Sequence, residues 1–182
     1  MLEKMNLKDL TYGALFAALI CVLGLISIPL SFSPVPITGQ SLAIMLAGCI
    51  LTTRQAALSV ATFLLIGIVG VPVFAGGTAG IGIILGPRGG YLIGFFIGAI
   101  VISLLKGKNN TYVRLGISNV VGGIGIVYLL GVIWLSIVTQ IGLSKAFMVG
   151  ALPFIAGDLF KVFVATIVSV TVNKRLQKKI FS

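Results

Sequence analysis

Apolar residues run almost unbroken along this chain, and the polar breaks between runs are short. Six runs stand out, over residues 10–30, 39–52, 55–72, 89–106, 115–138 and 147–172. A helix that crosses the hydrocarbon core of a bilayer needs about 20 such residues, with a range near 17–25. The run at 39–52 is short and that at 55–72 is marginal, which leaves a re-entrant pair as the alternative to two crossings. The expected architecture is an all-α integral membrane protein: a bundle of six transmembrane helices in a single domain over residues 1–182. Neither an internal repeat nor a linker divides it. Lys4 and Lys8 precede the first run, as in a secretory signal. That run continues to Leu30, however, with no small-x-small cleavage site, and is expected to be a retained first span.

Composition supports this reading. The chain is 58% hydrophobic and 9% charged, too little polar surface to clothe a soluble domain of 182 residues. Its net charge of +10 does not point to nucleic acid, because basic and aromatic residues are not interleaved and the charges fall between the apolar runs. They report topology instead. With the N-terminus inside, Lys4, Lys8, Arg54, Lys106, Lys108, Arg114, Lys174, Arg175, Lys178 and Lys179 are all cytoplasmic, while Arg88 and Lys145 fall in outer loops and Lys161 within the last span. This positive-inside bias predicts cytoplasmic termini and a multi-pass protein of the cell membrane. The acceptor-like Asn109-Asn110-Thr111 is then cytoplasmic and carries no weight. All six prolines, at 29, 34, 36, 72, 87 and 153, fall on the outer side. Irregular backbone near membrane depth is tolerated where it lines a cavity or is buried in protein, so an outward-facing site is expected.

Histidine is absent, which removes histidine metal sites, Ser–His catalysis and histidine proton relays. No nucleophile–base pair is visible, so neither enzyme chemistry, a metal nor a cofactor is expected. Cys21 and Cys49 lie within apolar runs and read as small packing residues.

The chain has three acidic residues, and two of them, Glu3 and Asp9, are N-terminal. The third, Asp158, lies in the apolar stretch "PFIAGDLFKVFVA" (153–165) with Lys161 one helical turn away. On a helix, Phe154, Asp158, Lys161 and Ala165 share one face. Asp158 falls about 7–8 Å below Pro153 at 1.5 Å per residue. Charges at that depth are costly and face a bundle interior or a cavity. The pair either cross-links helices or binds a polar ligand; Phe154 and Gly157 leave room for the latter. In "GPRGGYLIGFFIGA" (86–99), Gly90, Gly94 and Gly98 form a small-residue stripe for close helix approach. Arg88 at its outer mouth suits a carboxylate, or snorkels to the interface. Tyr91, one turn further in, stacks on a ligand or anchors the interface. The glycine-rich stretch 70–87 lacks the Gly-Lys-Ser/Thr ending of a phosphate loop and reads as a flexible apolar lid. "SPVPITGQS" (33–41) is a second outer loop whose Gln40 offers an amide to a ligand. Asn119 lies at membrane depth in the fifth run, with Tyr128 and Trp134 further out. Arg88 and Lys161 against Asp158 leave one positive charge, which a ligand with a single carboxylate would neutralise.

"PVPITGQ" (34–40), "GVPVFAGG…GIGIILGPRGGYLIGF" (70–95) and "LPFIAGDLFK" (152–161) closely resemble the BioY family, the biotin-binding S-components of energy-coupling-factor (ECF) transporters. The resemblance covers nearly the whole chain. It implies six transmembrane helices and biotin held near the outer face. It also implies partners, namely a transmembrane coupling subunit and two cytoplasmic ATPases. By resemblance, Arg88, Asp158 and Lys161 match the family's charged binding positions, with Gln40, Tyr91 and Tyr128 the further candidates. Biotin has one carboxylate, two N–H donors and an apolar body, which suits the charge count. "ALFAA" (14–18) resembles the family's docking motif, which assigns Ala14 and Ala18 to the partner interface. A solitary carrier working without ATPases is the competing expectation.

Overall fold

The computed structural model describes residues 6–107 and 111–180. Lys4, Lys108 and both asparagines of the acceptor-like motif lie outside the described residues. Among the described residues, nine α-helices account for most of the fold. They are α1 (Leu7–Leu25), α2 (Gln40–Ile50), α3 (Thr53–Val69), α4 (Ile81–Leu85), α5 (Gly89–Lys106), α6 (Tyr112–Ser118), α7 (Val127–Thr139), α8 (Leu143–Gly150) and α9 (Ile155–Ile180). Among the described residues, four stretches are long and apolar enough to cross a bilayer: Leu7–Leu25, Gly89–Lys106, Tyr112–Thr139 and Leu143–Leu176. The chain is thus a multi-pass membrane protein. The helices of the two doubtful runs, α2 and α3, have 11 and 17 residues. At 1.5 Å per residue these reach about 16 and 25 Å, against a hydrocarbon core of about 30 Å.

One expectation is corrected at the end of the first run. The helix stops at Leu25, and residues Ser27–Leu30 (β1) pair antiparallel with Ser33–Thr38 (β2). Pro29, Pro34 and Pro36 cannot serve a helix interior, and a two-stranded ribbon lets them occupy edge positions. The fold is therefore helical with one hairpin rather than all-α. The last run is also divided. Lys145, expected in a loop, lies on α8, and a single 3-10 turn over Leu152–Phe154 carries Pro153 into α9.

Local chemistry fixes the helix ends that matter. Thr52 caps α3 in a reciprocal box, accepting from Gln55 N (3.3 Å) while its own N–H donates to Gln55 Oε1 (3.1 Å). Gln55 Nε2 also reaches Asp9 Oδ1 at 2.7 Å, which ties α1 to α3. Gly70, with φ +114°, ends α3 in a conformation that a side chain rarely adopts. At one end of the bundle Lys106 closes α2 by donating to the carbonyls of Cys49 (3.1 Å) and Leu51, and Asn173 of α9 donates to the same Cys49 carbonyl (3.1 Å). A cation at a helix C-terminus is favoured by the helix dipole.

The core is organised around α5, of which 56% is buried against 22% for α1. The glycine stripe behaves as its spacing predicts. A Cβ on Gly94 would come within 2.9 Å of Val127 Cα, and one on Gly98 within 2.5 Å of the Gly122 carbonyl. Residues Asn119–Ile126, between α6 and α7, form a π-helix inside one continuous helical stretch. Its effect shows in the burial. Leu115, Ser118 and Gly122, continued at α-helical spacing, would bury Leu129 and Ile133; both are exposed, and Val127, Gly131 and Leu135 are buried instead.

Candidate ligand-binding cavity

At the end of the bundle opposite Lys106, the hairpin, the 70–88 segment and the starts of α2, α5 and α9 enclose a cavity. Gln40, Arg88, Tyr91, Tyr128, Asp158 and Lys161, six candidates spread over 122 residues of sequence, all line it. The remaining wall is mainly apolar and includes Val35, Phe74, Leu92, Phe95, Val127 and Phe154.

The segment expected to be a flexible lid is instead pinned. Phe74 is 1% exposed and stands edge-on to Phe63 of α3, with ring centroids 5.4 Å apart. Thr78 closes a bridge with Phe74, the Gly76 N–H donates to Gly24 O (3.2 Å) and the Gly80 N–H to Gly67 O (2.7 Å). The aromatic plug and these backbone bonds explain the order of a glycine-rich stretch. Gln40, buried in the first turn of α2, donates its Nε2 to Val73 O at 3.2 Å and joins the same segment to the cavity wall.

Arg88 sits just before α5. Its Nε donates to Pro34 O of β2 (3.0 Å) and its Nη1 to Ala75 O (3.4 Å), so one guanidinium holds both outer segments. It makes no ion pair among the described residues. Two bonds leave donors to spare on a group with five N–H hydrogens. Tyr91 is buried against α7 and α8, and its hydroxyl donates to Gly150 O at 2.8 Å.

The charged pair lies on α9 as the helical spacing predicts, with Phe154, Asp158 and Ala165 all buried on one face. Lys161 Nζ contacts Asp158 Oδ1 at 2.8 Å. The same ammonium donates to Thr38 O (2.8 Å) and Ser41 Oγ (2.9 Å). Ser41 in turn donates to Asp158 Oδ1 (3.1 Å), and Tyr128 donates to Asp158 Oδ2 (2.6 Å). A buried carboxylate is thus surrounded by donors from α2, α7 and α9, as the cost of a lone charge in an apolar site requires.

Three residues singled out in the sequence lie outside the cavity lining. Gly157 is exposed and does not line the cavity, so the room beside the pair comes from α2, α5 and α7. Asn119 belongs to a separate buried cluster, accepting from Cys49 Sγ (3.3 Å) and donating to Thr166 Oγ1 (3.4 Å). Trp134 donates to Gly86 O at 2.9 Å and holds the loop before Arg88. Conversely, the sequence reading missed Ser41 and the Thr38 carbonyl. Both stand beside Gln40 in a stretch already singled out, but nothing local signals a bond to α9. Ala14 and Ala18 are exposed on α1, whereas their neighbours Gly13 and Ala17 are buried. Cys21 and Cys49 are free thiols.

A helical membrane protein with a mainly apolar cavity, a carboxylate–ammonium pair and an arginine that has no acidic partner among the described residues has the features of a small-molecule binder of the bilayer. The chain belongs to the BioY family, whose profile matches residues 1–178. It is 40% identical over 172 residues to the "Biotin transporter BioY" of Rhizobium etli, covering 90% of this chain and 91% of that one. It is 39% identical over 168 residues to the protein of the same name in Thermotoga maritima, covering 92% and 97%. A crystal structure of the S-component for biotin from an ECF-type ABC transporter superposes with a TM-score of 0.86 at 34% identity, covering 94% of this chain and 95% of that one.

Proposed function

We propose that this chain captures biotin for uptake as the substrate-binding S-component of an ECF-type transporter. It is a transport protein rather than an enzyme. One observation carries the ligand reading: in a BioY-family fold, Arg88 and the Asp158–Lys161 pair line the same cavity. Asp158 accepts a ureido N–H, and the charge of Lys161 favours the ureido oxygen. Arg88, with donors to spare, takes the carboxylate in the planar geometry that suits a guanidinium. The apolar wall takes the bicycle and chain, and Gln40, Tyr91 and Tyr128 complete the enclosure.

The basic residues place both termini in the cytoplasm, and the cavity then opens outward. With α2 and α3 counted as crossings the chain spans the cell membrane six times. Exposed Ala14 and Ala18 on α1 offer a surface of small residues to a coupling subunit, itself driven by two cytoplasmic ATPases. Labelled-biotin binding to the purified chain tests the ligand. Asp158→Asn keeps the shape but replaces the carboxylate with an amide; affinity is expected to fall tenfold or more. Unchanged affinity in a well-folded Asp158→Asn protein would reduce the pair to a helix cross-link.

A further inference from the structure

The polar node on α9 contains more order than a simple ion pair needs, and Ser41 is its joint. An ammonium has three donors. Those of Lys161 match three acceptors, Thr38 O, Ser41 Oγ and Asp158 Oδ1, at 2.8, 2.9 and 2.8 Å. A carboxylate has about four lone-pair positions. Lys161 and Ser41 occupy both positions on Asp158 Oδ1, and Tyr128 occupies one on Oδ2. Among the described residues this leaves one acceptor position, on Oδ2 beside the Tyr128 hydroxyl.

We propose that Ser41 is a positioning residue that sets where the ligand binds Asp158: by filling Oδ1 it directs a single ligand N–H onto Oδ2. This rests on the reading that the cavity holds biotin. The two N–H groups of a cyclic urea flank the carbonyl and diverge. A carboxylate offering one open position accepts one of them and leaves the other for a different partner. Without the Ser41 hydroxyl, Oδ1 regains an open position and Lys161 loses one of its three acceptors. The ligand then meets a carboxylate whose orientation is no longer fixed from α2.

The test is a double-mutant cycle on biotin affinity, with the melting temperature of each unliganded protein measured alongside. Ser41→Ala should lower affinity roughly tenfold, the scale of a hydrogen bond to a charged group. Ser41→Thr, which keeps the hydroxyl, should retain most of it. Ser41→Cys, similar in size but a weak donor, should follow Ser41→Ala. In the Asp158→Asn background Ser41→Ala should cost less than about twofold, because the group it acts through is gone. Equal losses in both backgrounds, or equal affinity for Ser41→Ala and the unmodified protein, would overturn the positioning role. So would a loss that tracks melting temperature alone. Absence of biotin binding by the unmodified protein is a different failure and would overturn the ligand reading itself.

Discussion

The hydroxyl of Tyr128 lies 2.6 Å from Asp158 Oδ2, joining α7 to α9 across the cavity wall. The carboxylate is the buried partner, and it is held from two further sides by Ser41 and Lys161. Tyr128→Phe deletes that donor without changing the shape of the ring. Removing one partner of a buried polar pair costs about 1–3 kcal/mol. The unliganded variant should therefore melt earlier than the unmodified protein while remaining folded, and a thermal melt in detergent checks this. An unchanged melting temperature would show that the bond contributes nothing to the empty state.

Arg88 carries two duties that separate experimentally. It holds Pro34 O and Ala75 O, and by proposal it reads the ligand carboxylate. Arg88→Ala should weaken biotin by tenfold or more, and weaken an analogue with an amidated carboxylate by less. The comparison of the two ligands is the measurement. Equal losses would assign Arg88 to fastening the outer segments alone.

Ala14→Leu or Ala18→Leu should reduce co-purification with the coupling subunit by blocking close helix approach. Biotin binding should survive, since neither alanine lines the cavity. Weaker binding with assembly intact would move these residues out of the docking surface.

Single cysteines placed at Ser33 and Ser144 should react with an impermeant thiol reagent added outside intact cells, and those at Asn110 and Ser182 should not. The expectation follows from the distribution of basic residues. Labelling at Asn110 from outside would invert the chain and turn the cavity inward.

The charged pair was legible because an acid inside an apolar run has to be explained, and its i,i+3 spacing names its partner. The stripe of Gly90, Gly94 and Gly98 was legible for a similar reason, since small residues at helical spacing announce close packing. Ser41 was not legible. Its bond to Asp158 spans 117 residues, and a serine opening a helix reads as local. The hairpin was half legible: Pro34 and Pro36 marked an outer loop, but Pro29 fell within the expected first span, and pairing of β1 with β2 depends on the turn between them. The glycine-rich 70–80 segment misled because glycine content suggested freedom, while a single residue, Phe74, supplied the anchor. Which side of α7 faces the site depends on the π-helix, and no periodicity in the sequence marks it.

That π segment has a consequence for what the gene can tolerate. A π turn behaves as one extra residue within an α-helix, and one residue corresponds to about 100° of rotation at 3.6 residues per turn. The burial of Val127, Gly131 and Leu135, each out of step with Leu115 and Ser118, records that rotation. The stretch from Tyr112 to Thr139 thus works as two gear wheels keyed to a common shaft with a fixed offset. Its first part meshes with α9 through Asn119 and its second presents Tyr128 to the cavity. Substitutions that preserve the offset can accumulate on its lipid side. Loss of a single codon between 119 and 126 would take out that extra residue, close the segment into a plain α-helix and leave Tyr128 still facing Asp158, with the rest of the sequence untouched.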